Sequence, residues 1–468
     1  MTPNRRDVVG GLAAMGTALA GSAGAAARPY RVGVRRLVIV TASALSLSGC
    51  GTFAHILEAP TVESHPPPVA AAPTGAGIVD TIDPAKIDAV LKGFVDSHAL
   101  VGVSALVFQN DREVYFGAFG QADREMNVPM ARDTLVQIYS MTKPVAGVAL
   151  MQLYERGLFK LDDPVAKYIP ELADVKVLAG LDKDGKPILE TPHRAMTVLD
   201  LMRHTSGLAS SYSTNPYIKS DVARLDPGDK TQTLAEEARI LGTMPLVFHP
   251  GEHWLYGPSV DMQALLVERL SGEKFDAYLQ NHIFGPLKMS ETGYYVGPDR
   301  RGRLAALYDW HEDGSMTRMP DDAAYSFNTQ HWPLTPGTYG LAATIDDYAK
   351  FARMLEHEGE LDGMRILKRE TVRLMSTNQL PDAITDRSWL PSKGRVGFGL
   401  DFAVRTAQPQ AGESAGTVGE FFWDGAADTL FWVDPVNRIV AVLFTQYFPF
   451  GKVPLHPAFR GAVYAHSH

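Results

Sequence analysis

The 468-residue chain holds a single cysteine, Cys50. One cysteine excludes an internal disulfide framework and any Cys-rich zinc or iron–sulfur site. Basic side chains are in the minority, 44 against 53 acidic, for a formal net charge of −9. No extended basic block follows residue 50, so nothing matches a phosphate backbone and no nucleic-acid partner is implied. There is no evident internal repeat. What remains is an ordinary globular balance, 45% hydrophobic and 21% charged, whose length alone suggests about three domains.

The charge is unevenly spread. Residues 1–50 carry six arginines and one aspartate, net +5, which leaves −14 for the rest. That asymmetry marks an export region, and two signals are stacked in it. Arg5-Arg6, the uncharged run Val8–Ala27 and Ala25-Ala26-Ala27 read as a twin-arginine-type signal. Arg35-Arg36, the apolar run Leu37–Leu47 and Leu47-Ser48-Gly49-Cys50 read as a lipoprotein signal, with Cys50 the acylated residue after cleavage. The second run falls far short of the ~20 apolar residues of a membrane span. One explanation for the pair is a translation start near Val34. Residues 1–49 are thus expected to be signal, and residues 50–80, with Pro66-Pro67-Pro68 and Ala70-Ala71-Ala72, a solvated linker.

Residues 81–468 read as one interleaved α/β (α+β) domain. Asp83-Pro84 looks like an N-cap and first helical position, followed by Ile87, Val90, Leu91, Phe94 and Val95 at helical spacing. Val103–Phe108 and Glu113–Phe119 read as strands joined by Asn110-Asp111-Arg112. Met141–Glu155 is apolar nearly all round and reads as a buried helix ending before Gly157. Hairpin turns are expected at Asp182–Lys186 and Glu312–Ser315, and Thr344 should cap a helix. Strands return at Phe398–Val404, Gly419–Phe422, Leu430–Val433 and Ile439–Phe444, with a final helix near Pro457–Ala465. Strands at both ends with helices between predict one antiparallel sheet covered by the first and last helices (81–135 and 335–468). A mainly helical lobe (136–334) would face it across a cleft.

Three serine motifs compete for chemistry. Ser140-Met141-Thr142-Lys143 is a Ser-x-x-Lys, and positions i and i+3 share a helix face, so the amine can reach the hydroxyl. Burial lets a lysine lose its charge and act as a base. The helix N-terminus favours a developing oxyanion. A chain of this size holds on the order of one such motif by chance, and Ser271-Gly272-Glu273-Lys274 is a second copy. That copy falls in a polar turn with nothing to bury its lysine and reads as a helix stop. Gly412-Glu413-Ser414-Ala415-Gly416 matches a nucleophile elbow, but a polar stretch precedes it and a strand-like one follows, so Ser414 reads as a loop residue.

Ser140–Lys143, together with His204-Thr205-Ser206-Gly207-Leu208 and Tyr256 in Pro250–Tyr256, resembles the serine β-lactamase-related superfamily, and within it the family VIII carboxylesterases. Leu161–Val165, Gly340–Phe351, Gly397–Leu400 and Trp423-Asp424-Gly425 agree in order and spacing over about residues 82–447. The resemblance implies that Ser140 is acylated and that Lys143 and Tyr256 form the base system, either of them serving as the base. It implies an oxyanion hole from the backbone N–H groups of Ser140 and Ala426, with Trp423 and Gly425 at the substrate. It makes His204 a structural turn residue. His249 and His253 are spaced like metal ligands but lack patterned partners, and no metal or cofactor is implied.

Two departures bear on the substrate. Pro258 stands where β-lactamases of the superfamily have an asparagine, and Trp423 where they have a lysine that attracts the substrate carboxylate. Losing a charge-assisted contact costs ~1.5–3 kcal/mol, roughly tenfold to a hundredfold in affinity. An indole offers apolar surface instead, which favours neutral esters. The expected function is an exported serine hydrolase acting on a small ester or amide, touching the membrane only through a lipid anchor at Cys50. A β-lactamase or D-amino-acid peptidase, an acyltransferase and a non-catalytic envelope lipoprotein are the alternatives.

Overall fold

The computed structural model describes residue 79 and residues 81–465. The expected signals, Cys50 and the Pro/Ala-rich linker as far as residue 78 lie outside the described residues. Val79, expected in the solvated linker, is instead buried: its N–H donates to Asn437 Oδ1 (2.8 Å) and its carbonyl accepts from Gln109 Nε2 (2.7 Å), which ties it to the sheet. Among the described residues no helix is long and apolar enough to cross a membrane.

Helix α1 (Pro84–Asp96) begins as expected, with the Asp83 carboxylate accepting from the Ala85 N–H and Pro84 in the first turn. Strands β1 (Gly102–Gln109) and β2 (Arg112–Asp123) follow. Asn110 and Asp111 between them both take positive φ, 52° and 62°, the twist a tight hairpin needs. After β3 (Val128–Pro129) the chain enters helices α2 (Thr142–Glu155), α3 (Pro216–Leu225), α4 (Leu234–Thr243), α5 (Ser259–Ser271) and α6 (Ile345–Glu356). It returns through β4 (Val396–Phe398), β5 (Ala403–Arg405), β6 (Phe421–Asp424), β7 (Leu430–Asp434) and β8 (Ile439–Phe444) to helix α7 (Leu455–Val463).

The eight strands form one sheet in the order β4-β5-β6-β7-β8-β1-β2-β3, antiparallel at every pairing. Ser104 of β1 lies opposite Phe444 of β8, so the two ends of the domain meet as expected. The side-chain alternation of β7 shows both coverings. Trp432 meets Phe459 of α7, with ring centroids 5.3 Å apart, while Phe431 meets Tyr348 of α6 at 5.1 Å. Helices α1 and α7 thus cover one face, and α6, expected in the sheet lobe but without an assigned face, covers the other.

One expected strand divides. Phe398–Val404 is a hairpin in which Phe398 pairs with Ala403 and the Gly399 N–H donates to the Phe402 carbonyl (2.8 Å). Asp401 sits at φ 64°, and a Cβ on Gly399 would lie 2.0 Å from the Met375 carbonyl oxygen. These two turn-forming residues break an otherwise strand-like apolar run. The hairpin Tyr308–Trp310/Met316–Arg318 also pairs with Tyr447–Phe448 just after β8, linking the middle of the chain to the sheet.

Candidate active site

Ser140 stands in a 3₁₀ turn, Tyr139–Met141, that runs directly into α2. Several elements fix the turn. Val136 and Gln137 pair with Ala343 and Ala342. The Ile138 N–H donates to the Leu341 carbonyl (2.9 Å), and the Gln446 side-chain amide donates to the Gln137 carbonyl (3.0 Å). Tyr139, just before the serine, holds a positive φ of 44°, a conformation disfavoured for a side chain of its size. Its ring packs edge-on against Phe448 at 5.3 Å.

Lys143 is wholly buried on the first turn of α2. Its Nζ lies 3.3 Å from Ser140 Oγ, donates to the Thr338 carbonyl (2.8 Å), and sits 4.2 Å from the centroid of the Tyr256 ring. Burial lowers its pKa to about 7, against the opposing charges of Asp261, Asp401 and Asp424. Without its proton, the amine keeps a lone pair for the serine hydroxyl while one N–H remains on Thr338.

Tyr256 comes from the loop before α5. Its hydroxyl oxygen accepts from the Trp423 indole N–H at 3.3 Å. Burial pushes the phenol well above its usual range, though bonds from Ser140 and Trp423 pull the other way. Tyr256 therefore keeps its proton at neutral pH. Tyr212 packs against it at 5.2 Å, its own hydroxyl pushed up to about 12 by burial.

Strand β6 delivers Trp423, Gly425 and Ala426. A Cβ on Gly425 would lie 2.5 Å from the Ile138 carbonyl oxygen, so glycine lets this strand approach the serine turn. Neither the Ser140 nor the Ala426 N–H has a hydrogen-bond partner among the described residues. Both residues are half-exposed amid buried neighbours. Trp423, expected to offer open apolar surface, is fully buried; half-exposed Trp389, 5.3 Å from the Tyr256 ring, presents the aromatic face instead. An indole large enough to reach Tyr256 is enclosed by the residues that hold it there, Phe398 among them at 5.3 Å.

A layer of buried acids that the sequence reading missed backs the lysine. The Thr338 N–H donates to Asp261 Oδ1 (2.8 Å), so the backbone of this one residue ties α5 to Lys143. Glu237 of α4 hydrogen-bonds Asp261, and burial raises both carboxyls, Glu237 far more. Asp401 accepts from Gln263 (3.1 Å) and lies so close to α2 that a Cβ on Gly147 would be 2.5 Å from its Oδ2. An aspartate inside the wholly buried stretch Ser259–Val267 was a readable signal. Thr338 acts here through its backbone and leaves none.

The other sequence candidates stand elsewhere. His204 is buried at φ 58° with both ring nitrogens unpartnered, held neutral by burial, and packs 4.9 Å from Tyr256 without a hydrogen bond to Ser140, Lys143 or Tyr256. His249 stacks on His193 at 3.5 Å and bonds Glu190 (3.0 Å), while His253 lies 3.7 Å from Asp386. Among the described residues, no group of three or more His, Cys, Asp or Glu is arranged to hold a metal ion. Gly272 terminates α5 at φ 79° and the Lys274 side chain is 71% exposed, as a helix stop requires. Ser414 lies in irregular chain with no strand-to-helix elbow.

A Ser-x-x-Lys serine at the head of a buried helix, set between an antiparallel sheet and a helical lobe, defines the serine β-lactamase fold class. The chain belongs to the beta-lactamase family, whose match spans residues 87–464. It is 34% identical over 372 residues to an uncharacterized protein of Mycobacterium tuberculosis (strain CDC 1551 / Oshkosh), covering 77% of this chain and 89% of that one. It is 30% identical over 380 residues to lovastatin esterase of Penicillium rubens, covering 76% and 91%. Among solved structures it superimposes on EstCE1, a hydrolase with promiscuous acyltransferase activity, with a TM-score of 0.69, 24% identity, and coverage of 81% and 98%.

Proposed function

We propose that the protein is a serine hydrolase that cleaves neutral carboxylic esters through an acyl-Ser140 intermediate. The observation that carries the reading is the 3.3 Å approach of Ser140 Oγ to an amine whose pKa burial lowers to about 7. Neutral Lys143 takes the hydroxyl proton as Oγ attacks the ester carbonyl carbon. The ammonium that forms is stabilised by the Tyr256 ring face 4.2 Å away and by the acids behind it. The oxyanion of the tetrahedral intermediate is met by the unpaired N–H groups of Ser140 and Ala426. Collapse expels the alcohol, which receives its proton from Lys143 through the Tyr256 hydroxyl. Water then attacks the acyl-serine as the proton transfers reverse. Lovastatin esterase, at 30% identity, supports an ester as the substrate class.

The half-exposed rings of Tyr212 and Trp389, packed against Tyr256, also favour a second outcome, in which an apolar alcohol intercepts the acyl-enzyme and takes its acyl group. On this reading the protein is exported and anchored through acylated Cys50, supported by the run of residues 35–50. A Cys50→Ala form should then leave the membrane fraction.

The test compares the full-length protein with its Ser140→Ala form on p-nitrophenyl butyrate and a chromogenic cephalosporin, with mass spectrometry of the acylated peptide. Butyrate hydrolysis abolished in the variant, with the acyl group on Ser140, is expected. Cephalosporin turnover exceeding ester turnover, or activity that survives Ser140→Ala, would refute the proposal. Added butanol yielding butyl butyrate would establish transfer.

A further inference from the structure

Lys393 closes the short turn Leu390–Lys393 and has no part in the chemistry above. Its ammonium lies 4.7 Å from the ring centroid of Trp389, 5.0 Å from Trp423 and 5.3 Å from Phe450. Its side chain is only 7% exposed, and it is ion-paired with Asp424, whose side chain is 11% exposed. Asp424 lies between Trp423, which bonds Tyr256, and the Gly425-Ala426 segment of the candidate oxyanion hole. Its charge acts on Lys143, Tyr212 and Tyr256.

A buried ammonium ringed by three aromatic faces is a strong attractor for an anion. Here the carboxylate already in contact occupies it. A substrate carboxylate entering beside this pair would meet Asp424 as a like charge in a poorly screened setting, which is how charged interfaces reject wrong partners. A neutral ester meets no such opposition, and the half-exposed Trp389 ring remains available to it.

We propose that Lys393 and Asp424 are the specificity-determining pair of this site: Asp424 occupies the Lys393 ammonium and thereby bars carboxylate-bearing substrates. The proposal rests on the reading of Ser140 as the acylated nucleophile, and it deepens that reading by naming what excludes anionic acyl groups. Removing the charge of Asp424 alone converts Lys393 into an anion-binding group over the Trp423 ring, whose indole bonds Tyr256.

The experiment uses a matched pair of aryl esters, neutral p-nitrophenyl butyrate and anionic mono-p-nitrophenyl glutarate. Asp424→Asn should raise the glutarate-to-butyrate ratio of kcat/KM by at least ~10-fold, the factor expected for a charge-assisted contact. The change should appear mainly in the glutarate ester's KM and shrink with added salt. Adding Lys393→Met should abolish the gain. Lys393→Met alone, which unmasks no cation, should leave the glutarate ester rejected or deepen the rejection. Glutarate binding to Ser140→Ala and to Ser140→Ala/Asp424→Asn, read by tryptophan fluorescence, decides the pair independently of turnover. Failure of the native protein to hydrolyse butyrate would sink the esterase reading while this titration still speaks to Lys393. An unchanged ester ratio with unchanged glutarate affinity in Asp424→Asn, a gain that survives loss of Lys393, or improved use of the glutarate ester in Lys393→Met alone would overturn the proposal.

Discussion

The indole N–H of Trp423 donates to the hydroxyl oxygen of Tyr256 across 3.3 Å. The bond orients the phenol and by itself favours ionisation, but burial outweighs it and keeps the Tyr256 proton in place. Tyr256 is thereby suited to carry a proton between Lys143 and the departing alcohol, and unsuited to start the reaction as a phenolate. Tyr256→Phe should lower kcat for an aryl ester by ~10²–10⁴, the usual scale of positioned acid–base groups. Trp423→Phe removes the orienting bond and part of a buried ring but leaves the phenol in place, and should cost ~2- to 12-fold. Steady-state kinetics with both variants checks the ordering, and an equal or larger loss in Trp423→Phe would contradict it.

On the proposed mechanism Lys143 sets the pH profile. Burial brings its pKa to about 7, and the amine is the active form, so kcat/KM should rise with pH and reach half its plateau near 7. Stability follows the same group with a definite sign. The unfolded lysine holds its proton up to its ordinary value near 10.5, while the folded one loses it near 7. Between those values the unfolded state binds more protons, so this group's contribution makes stability rise with pH. Below about 7 the burial penalty is fully present. Lys143→Met should therefore abolish hydrolysis yet raise Tm at pH 7 by a few degrees, and the gain should shrink toward pH 10. Calorimetry at the two pH values tests this, and a Tm that falls at pH 7 would refute it.

Gly425 is the close approach between β6 and the serine turn. A methyl group there meets the Ile138 carbonyl oxygen at 2.5 Å and the Thr429 hydroxyl at 2.2 Å, contacts that force the strand away. Gly425→Ala should displace the Ala426 N–H from the oxyanion position and lower kcat by ~10²–10³, the scale seen when one such donor is lost. KM should change much less. A variant with unaltered kcat would remove Ala426 from the oxyanion hole.

Far from the site, Glu420 joins the sheet to the last helix. Its Oε1 accepts from Arg405 and Arg460, each at 2.8 Å, and its Oε2 from the Tyr464 hydroxyl at 3.0 Å, all with side chains no more than 3% exposed. Glu420→Ala leaves two buried guanidinium groups without their shared partner and should destabilise by ~3–5 kcal/mol. Denaturant unfolding measures it, and a loss below ~1 kcal/mol would mean that water replaces the carboxylate.

The elements with strong local signatures were legible in the chain. Asp83-Pro84 caps α1, the left-handed pair Asn110-Asp111 closes the first hairpin, and the apolar circumference of residues 141–155 becomes a helix buried on nearly every side. The split of Phe398–Val404 into β4 and β5 was missed because apolar patterning outweighed Gly399 and Asp401, whose turn depends on the approach of Met375. Trp423 was expected at the substrate by its place in a motif. Its complete burial was not, since that depends on Phe398 and Trp389 arriving from other segments.

Local sequence thus determined which groups are available: a serine and a lysine one helical turn apart, a tyrosine ahead of a second buried helix, and a strand bearing a glycine. Tertiary structure alone decided what those groups can do. The depth at which α2 is buried lowers the lysine pKa, the Thr338 peptide and the Asp261–Glu237 pair converge on it from three separate segments, and Lys393 meets Asp424 across 31 positions of chain. Electrostatics in a poorly hydrated interior depends on every neighbour within several ångströms, and those neighbours are brought together only by the fold.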